Sequence, residues 1–176
     1  MSLTAADEMS TISIIIPAHN EANVIGQCLA ELSEGLQRDE MEVIVVCNGC
    51  NDNTAEVARA CGNHIRVIET PIASKVNALN LGDEVAEGFP RFYVDADVQL
   101  RGDAIRRIAE VLRNGPYLAA APSMSMDFGQ ASWAVRAFYR VWDRMSYTRE
   151  GFMGAGVYAL SEAGRRRFER FSDILP

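Results

Sequence analysis

Two acids separated by one residue, Asp95 and Asp97, follow directly on the apolar run Phe92-Tyr-Val94. At the end of a strand side chains alternate with a period of two, so both carboxylates are expected to point one way while Ala96 points back into the protein. Two carboxylates held close repel unless a cation lies between them. Hard divalent ions that use few protein carboxylates and complete their shell with substrate phosphates meet that need, which predicts a Mn²⁺ or Mg²⁺ site for a diphosphate. Two acids in three residues more often make a solvated turn, and it is the position directly behind a strand that favours the metal. Lys75 is the one lysine among 17 basic residues. Its flank lacks the glycines of a Walker A phosphate loop, but a lone ammonium suits an anionic ligand.

Three further groups are weighed for chemistry. His19 has the side chain of a general base, but no Ser or Cys is placed to be its nucleophile, so a pocket-wall role is preferred to a triad. Cys47-x-x-Cys50 and Cys61-x-x-His64 together imitate a zinc pattern. The helix expected between them, about ten residues at 1.5 Å each, separates the two halves by roughly 15 Å, too far to share one ion. A Cys47–Cys50 redox pair is the alternative, and plain thiols in a reducing compartment are the simpler reading. His64 is expected at the surface.

These residues must be held by elements, and the apolar pattern supplies them. Ile12-Ser-Ile-Ile-Ile16 is short, β-branched and stops at Pro17, as a buried parallel strand does. From Glu21 to Leu36 apolar residues recur at helical spacing, with Asn20 as the expected cap. The unit repeats: strand Val43–Val46, turn Asn48–Asp52, helix Thr54–Cys61 ended by Gly62, strand Ile65–Ile68, helix Ser74–Glu87, strand Arg91–Val94, helix Asp103–Arg113, strand Tyr117–Ala121 and a long helix Gln130–Tyr147. Strands alternating with helices predict an α/β protein with a mainly parallel, Rossmann-like sheet in three α/β/α layers. Ligands in such sheets collect outside the carboxyl ends of the strands. The first of these turns lacks Gly-x-Gly-x-x-Gly, which disfavours a dinucleotide.

Composition sets the limits. The 176 residues are 48% hydrophobic and 23% charged, the profile of a globular protein with one domain as the prior. Residues 1–10 are expected to be a tail and 11–176 a single domain, with a nucleotide-binding part over 11–100. No apolar run reaches the roughly 18 residues of a spanning helix, and acids stand where a signal peptide carries Lys or Arg, so a cytoplasmic protein is expected. The net charge of −7 argues against a nucleic-acid partner. Residues 1–100 hold 16 acids and 5 bases, whereas 101–176 hold 8 acids and 12 bases. The run Arg165-Arg-Arg167 with Arg170 reads as a solvated helix face; its functional alternative is peripheral contact with a membrane surface, a lipid diphosphate or an acidic glycan. The aromatics Trp133, Phe138, Tyr139 and Trp142 read as core.

Four stretches in order, Ile14-Ile-Ile-Pro-Ala-His-Asn-Glu21, Val45-Val-Cys-Asn-Gly-Cys-Asn-Asp-Asn-Thr54, Ser74-Lys-Val-Asn-Ala-Leu-Asn80 and Tyr93-Val-Asp-Ala-Asp97, resemble the successive motifs of family 2 glycosyltransferases of the GT-A fold. The resemblance covers about residues 11–165, and Gly151-Phe-Met-Gly-Ala-Gly-Val-Tyr-Ala-Leu160 is similar to the glycine-bearing segment before the acceptor side in that family. It implies that Pro17, Ala18, His19 and Glu21 line a nucleotide pocket. Asn48 stands where the family commonly has an acid on the uracil edge, and an amide accepts from the base N3–H and donates to a neighbouring carbonyl. Lys75 and Asn77 would serve the nucleotide diphosphate, Asp95 the ribose or donor sugar, and Asp97 the metal.

The activity implied is inverting transfer of a sugar from a nucleotide-diphosphate donor, a UDP-sugar first, to an acceptor hydroxyl. The acceptor is left open among carbohydrate, lipid-linked and small-molecule classes. The general base of the family comes in an acid pair after a segment like Arg167–Pro176; Asp173 lies just upstream of that place, is the one candidate, and leaves the acceptor-side part, 101–176, looking incomplete. Two other classes are carried alongside: a nucleotide-sugar-binding module without turnover, and a nucleotidyltransferase, whose usual glycine-rich first loop is replaced here by Pro17-Ala-His-Asn-Glu21.

Overall fold

The computed structural model of the chain describes residues 11–34, 37, 39–122, 133 and 156–172. Along these residues run β1 (Ile12–Ala18), α1 (Ile25–Ser33), β2 (Met41–Asn48), α2 (Thr54–Ala60), β3 (Ile65–Thr70), α3 (Lys75–Val85), β4 (Arg91–Val94), α4 (Gly102–Asn114), β5 (Ala119–Ala120), β6 (Val157–Leu160) and α5 (Glu162–Arg165). The six strands form one sheet in the order β3-β2-β1-β4-β6-β5. β3, β2, β1 and β4 are parallel, and β6 is antiparallel to both β4 and β5. After β1 the chain steps one way to β2 and β3, then returns to place β4 on the other side of β1. That reversal is the topological switch at which open α/β sheets bind ligands.

β1 is buried at all seven positions, as a central strand covered on both faces must be. Its isoleucines alternate between two cores. Ile14 and Ile16 pack with α1, α2 and α4 on one face, whereas Ile15 packs with Ala78 and Leu79 of α3 on the other. Each such side chain contributes roughly 1.5–3 kcal/mol of burial. The expected three layers are therefore present. The sheet is more mixed than the pattern predicted, because Val157–Leu160 inserts between β4 and β5.

Several expectations change. Asn20 does not cap α1: it sits at φ 57°, and the helix begins later, at Ile25, where the Glu21 carbonyl accepts from the Val24 and Ile25 N–H groups. The strand expected over Tyr117–Ala121 shortens to two residues. Arg165 is not on a solvated face. Its guanidinium pairs with buried Asp83 and lies over the Phe168 ring, 4.7 Å from its centroid. Arg166 pairs with Glu162, and Arg170 lies 3.7 Å from Glu84, so the basic run is partly neutralised within the fold. His64 is half-buried against Gly62 rather than at the surface. Trp133 is 83% exposed rather than core; the rest of that stripe and the helix expected over 130–147 lie outside the described residues, as does Asp173.

Candidate functional site

The carboxyl ends of β1, β2 and β4 meet beside the N-terminus of α3, and most of the residues singled out from the sequence lie there. β1 ends Pro17-Ala18, paired in register with Val46 and Cys47 of β2. His19 follows, exposed, with Nδ1 2.5 Å from the Asn48 carbonyl oxygen. A carbonyl only accepts, so Nδ1 carries the proton and Nε2 is left to accept, which it does from the Asn20 side-chain N–H at 3.2 Å. With both ring nitrogens engaged, the imidazole is a fixed wall. Asn20 in turn accepts from the Asn51 N–H at 2.8 Å, which ties the first turn to the second. Glu21 donates its N–H to Thr54 Oγ1 at 2.9 Å. Asp52 accepts from the Thr54 N–H at 3.1 Å and from the Ala22 N–H at 3.2 Å, and its carboxyl is held below its usual range, by the Thr54 hydroxyl first and, after the opposing effect of burial, by these two N–H groups.

Asn48 is only 4% exposed, and its side-chain amide makes no hydrogen bond to any described residue. Gly49 after it takes φ 62°, and a Cβ there would lie 2.7 Å from Ala73. Glycine is thus required both for the turn and for the close approach of the 70–74 loop, whose Thr70 carbonyl accepts from the Gly49 N–H at 2.8 Å. Ser74 then caps α3, its hydroxyl accepting from the Asn77 N–H at 3.2 Å. The Asn77 Oδ1 is buried without a hydrogen-bond partner. Buried polar atoms are nearly always paired, and among the described residues only the His64 Nδ1 shares this condition.

Lys75 reaches across to β4, placing Nζ 2.5 Å from Asp95 Oδ1. β4 stops at Val94 and the chain turns, with the Val98 N–H donating to the Asp95 carbonyl at 3.1 Å, so the strand whose alternation was expected to align Asp95 and Asp97 ends before them. Asp95 faces Lys75. Asp97 is exposed and unpaired among the described residues, and its charge reaches Cys28 of α1, whose thiol is pushed up to about 12 by burial first and Asp97 second. Gly156, at φ 77°, accepts at its carbonyl from the Asp95 N–H at 2.7 Å; a Cβ there would lie 2.6 Å from Val98. Gly156 of the glycine-bearing segment therefore lies against the acidic turn.

A metal fits this donor set in one way. Among the described residues no group of three or more His, Cys, Asp or Glu is gathered to hold an ion. Mn²⁺ and Mg²⁺ accept one or two carboxylates when phosphate oxygens and water supply the rest. The exposed Asp97 carboxylate, unpaired among the described residues, is chemically compatible with that requirement. The four cysteines are free thiols. Cys50 Sγ donates to the Ala18 carbonyl at 3.3 Å and so braces the first turn; Cys47 beside it is pushed up to about 12, by burial and then by Cys50.

Pattern reading missed three contributors. Ser74 and Asn51 are polar residues in loops without a distinctive type, and only their partners reveal them. Tyr158 of β6 stacks on Tyr93 of β4 with ring centroids 4.8 Å apart, and both burial and the Asp95 charge raise its hydroxyl pKa. Nothing in its local sequence points to a partner in β4; the pairing comes from the return of the chain after residue 155.

Comparison with known proteins bears on the family and the fold. Residues 13–168 match Glycosyl transferase family 2. The glycosyltransferase AglD of Haloferax volcanii is 31% identical over 123 residues, 65% of this chain and 20% of AglD. Among solved structures, the mannosyltransferase PcManGT of Pyrobaculum calidifontis, in complex with GDP-Man and Mn²⁺, has a TM-score of 0.67 at 21% identity, covering 86% of this chain and 44% of its own. Glucosyl-3-phosphoglycerate synthase of Mycobacterium tuberculosis, with Mn²⁺, UDP and glucosyl-3-phosphoglycerate, has a TM-score of 0.64 at 23% identity, covering 86% and 57%. The chain thus spans a fifth of AglD and about half of these two solved chains. The fold is of the GT-A type, and the chain belongs to glycosyl transferase family 2.

Proposed function

We propose that the chain binds a nucleotide-diphosphate sugar at the carboxyl ends of β1, β2 and β4 and takes part in transferring the sugar to an acceptor hydroxyl with inversion. The observation that carries this reading is unmet hydrogen-bonding capacity at the start of α3: the Asn77 Oδ1 is buried without a partner among the described residues, two positions from the one lysine of the chain. In this reading His19, with Pro17, Ala18 and Glu21, walls the base; Asn48 reads the base edge; Lys75 and Asn77 meet the diphosphate; and Asp95 meets ribose or sugar. Asp97 holds Mn²⁺ or Mg²⁺, which as a Lewis acid would stabilise the leaving diphosphate.

Lys75 is already paired with Asp95, so binding the donor exchanges partners rather than bringing a bare ammonium to the phosphates. An amide at residue 48 matches uracil, which offers N–H beside C=O, and guanine offers the same pair. The relatives' complexes with UDP and with GDP-Man make both nucleotides the ones to test. The acceptor is a hydroxyl compound of a class that the described residues do not specify, and a carboxylate within hydrogen-bond reach of it acts as base; Asp173 remains the candidate.

The test is thermal stability with UDP, GDP, dTDP, CDP and ADP, each with and without Mn²⁺, since a ligand that binds only the folded state raises it by mass action. A rise that needs both Mn²⁺ and UDP or GDP is expected in the wild type, and Asp97→Asn should lose the Mn²⁺ requirement and most of the rise. No rise with any nucleotide removes the proposal. Nucleotide binding without release of nucleotide from the matching sugar donor, across a panel of acceptors, would instead support a binding module.

A further inference from the structure

The stretch Ser74–Asn80 contributes Lys75 and Asn77 to the cleft, which leaves Asn80 without a role there. Asn80 is 7% exposed in the middle of α3. Its Nδ2–H donates to the Phe171 carbonyl at 3.0 Å, and its Oδ1 accepts from the Phe171 N–H at 2.9 Å. The partners are 91 residues apart. An amide side chain thereby imitates a neighbouring strand and satisfies both backbone groups of one residue that lies outside any helix or strand. Only Asn and Gln carry a donor and an acceptor in that fork, and Asn is the shorter.

What Phe171 does once gripped connects it to the site. Its ring meets Tyr93 edge-on at 5.0 Å and Phe168 at 5.1 Å. Tyr93 lies two residues before Asp95 on β4 and stacks on Tyr158. Tyr93, Tyr158 and Phe171 thus form an aromatic layer directly behind the acidic turn, and exposed Ser172 leaves from its edge. One helix carries both attachments: Lys75 holds Asp95 from the front, and Asn80 holds the layer behind it.

We infer that Asn80 is a positioning residue of this site, acting through the Phe171 backbone to fix the aromatic layer behind Asp95 and the point at which the chain emerges beside it. The inference rests on the donor site proposed above. It concerns residues that touch no nucleotide, so it predicts a loss of turnover without a loss of donor affinity.

The experiment is ¹⁵N NMR of the whole chain with UDP and Mn²⁺, the ion serving as a paramagnetic probe, in the wild type, in Asn80→Asp and in Asn80→Ala. Asp keeps the size and the acceptor but cannot donate to the Phe171 carbonyl; if the alanine variant does not fold, the isosteric one decides. In the wild type the amides of Lys75, Asn77, Phe171 and Ser172 should broaden. In the variants Lys75 and Asn77 should still broaden, with UDP affinity within about twofold, whereas Phe171 and Ser172 lose their broadening, and in Asn80→Ala, which lacks the acceptor as well, Phe171 also loses its slow amide exchange. The kcat for release of UDP from its sugar should fall about tenfold at nearly constant KM. Broadening of Ser172 that persists in Asn80→Asp, or loss of UDP affinity in step with loss of stability, overturns the inference. Absence of broadening at Lys75 and Asn77 in the wild type removes the donor site, and the inference with it.

Discussion

Lys75 is the residue on which the most is placed. It is more than half exposed, so its pairing with Asp95 contributes little to stability, in line with the small worth of exposed ion pairs. Its value is a positive charge held where phosphates are expected. Lys75→Met should therefore leave the melting temperature almost unchanged and weaken UDP or GDP binding about tenfold, the loss of one charge-assisted hydrogen bond of roughly 1.5 kcal/mol. Titration calorimetry in the presence of Mn²⁺ measures this; unchanged affinity would take Lys75 off the diphosphate. The residue was legible because it is the single lysine in an arginine-rich chain. Its partner was not, since period-two logic at Asp95 and Asp97 assumed a strand that in fact ends at Val94.

Among the elements, α3 links the site to the rest of the fold, and Asp83 near its end is the firmest attachment. The carboxylate is 6% exposed and accepts from Arg91 at 2.8 Å, from the Tyr93 hydroxyl at 2.6 Å and from Arg165 at 2.7 Å. These bonds join α3, β4 and α5. Removing one member of a buried pair typically costs 3–5 kcal/mol, because the remaining charge stays behind unpaired. Arg91 and Arg165 would keep carbonyl partners at Gly88, Ala86, Phe168 and Glu169, so Asp83→Ala is expected at the lower end, about 3 kcal/mol. Urea unfolding checks this, and a change below about 1 kcal/mol would show that the network is dispensable. None of it was legible: the triple arginine reads as a solvated face, and nothing in the sequence around Asp83 points to an arginine 82 positions away.

For the whole molecule the same carboxylate sets a pH dependence. Burial pushes Asp83 up, but bonds from Arg165, Tyr93 and Arg91 outweigh that and hold it below its ordinary 3.8. A depressed folded-state value means that the stabilisation is fully present above the unfolded value and is lost as pH falls through the folded one. Unfolding free energy should therefore decline below about pH 4, and Asp83→Asn should flatten that limb of the curve. An equally steep limb in the variant would assign acid sensitivity to other groups. Within the described residues no helix is long and apolar enough to cross a membrane.

The sequence by itself determined the βαβ alternation, the α/β class and the four polar turns at the strand ends, because hydrophobic period and turn chemistry are local properties of the chain. β4 was placed at its full extent, Arg91–Val94. Tertiary structure alone decided that Val157–Leu160 enters the sheet beside β4, that Asp95 meets Lys75 while Asp97 has no partner among the described residues, that Arg165 is buried on Asp83, and that Asn80 grips Phe171. Each of these pairings joins residues separated by 20 to 91 positions. Such contacts depend on how segments distant in sequence are brought together over the sheet, and no pattern of neighbours in sequence encodes which distant backbone group a single polar side chain will meet.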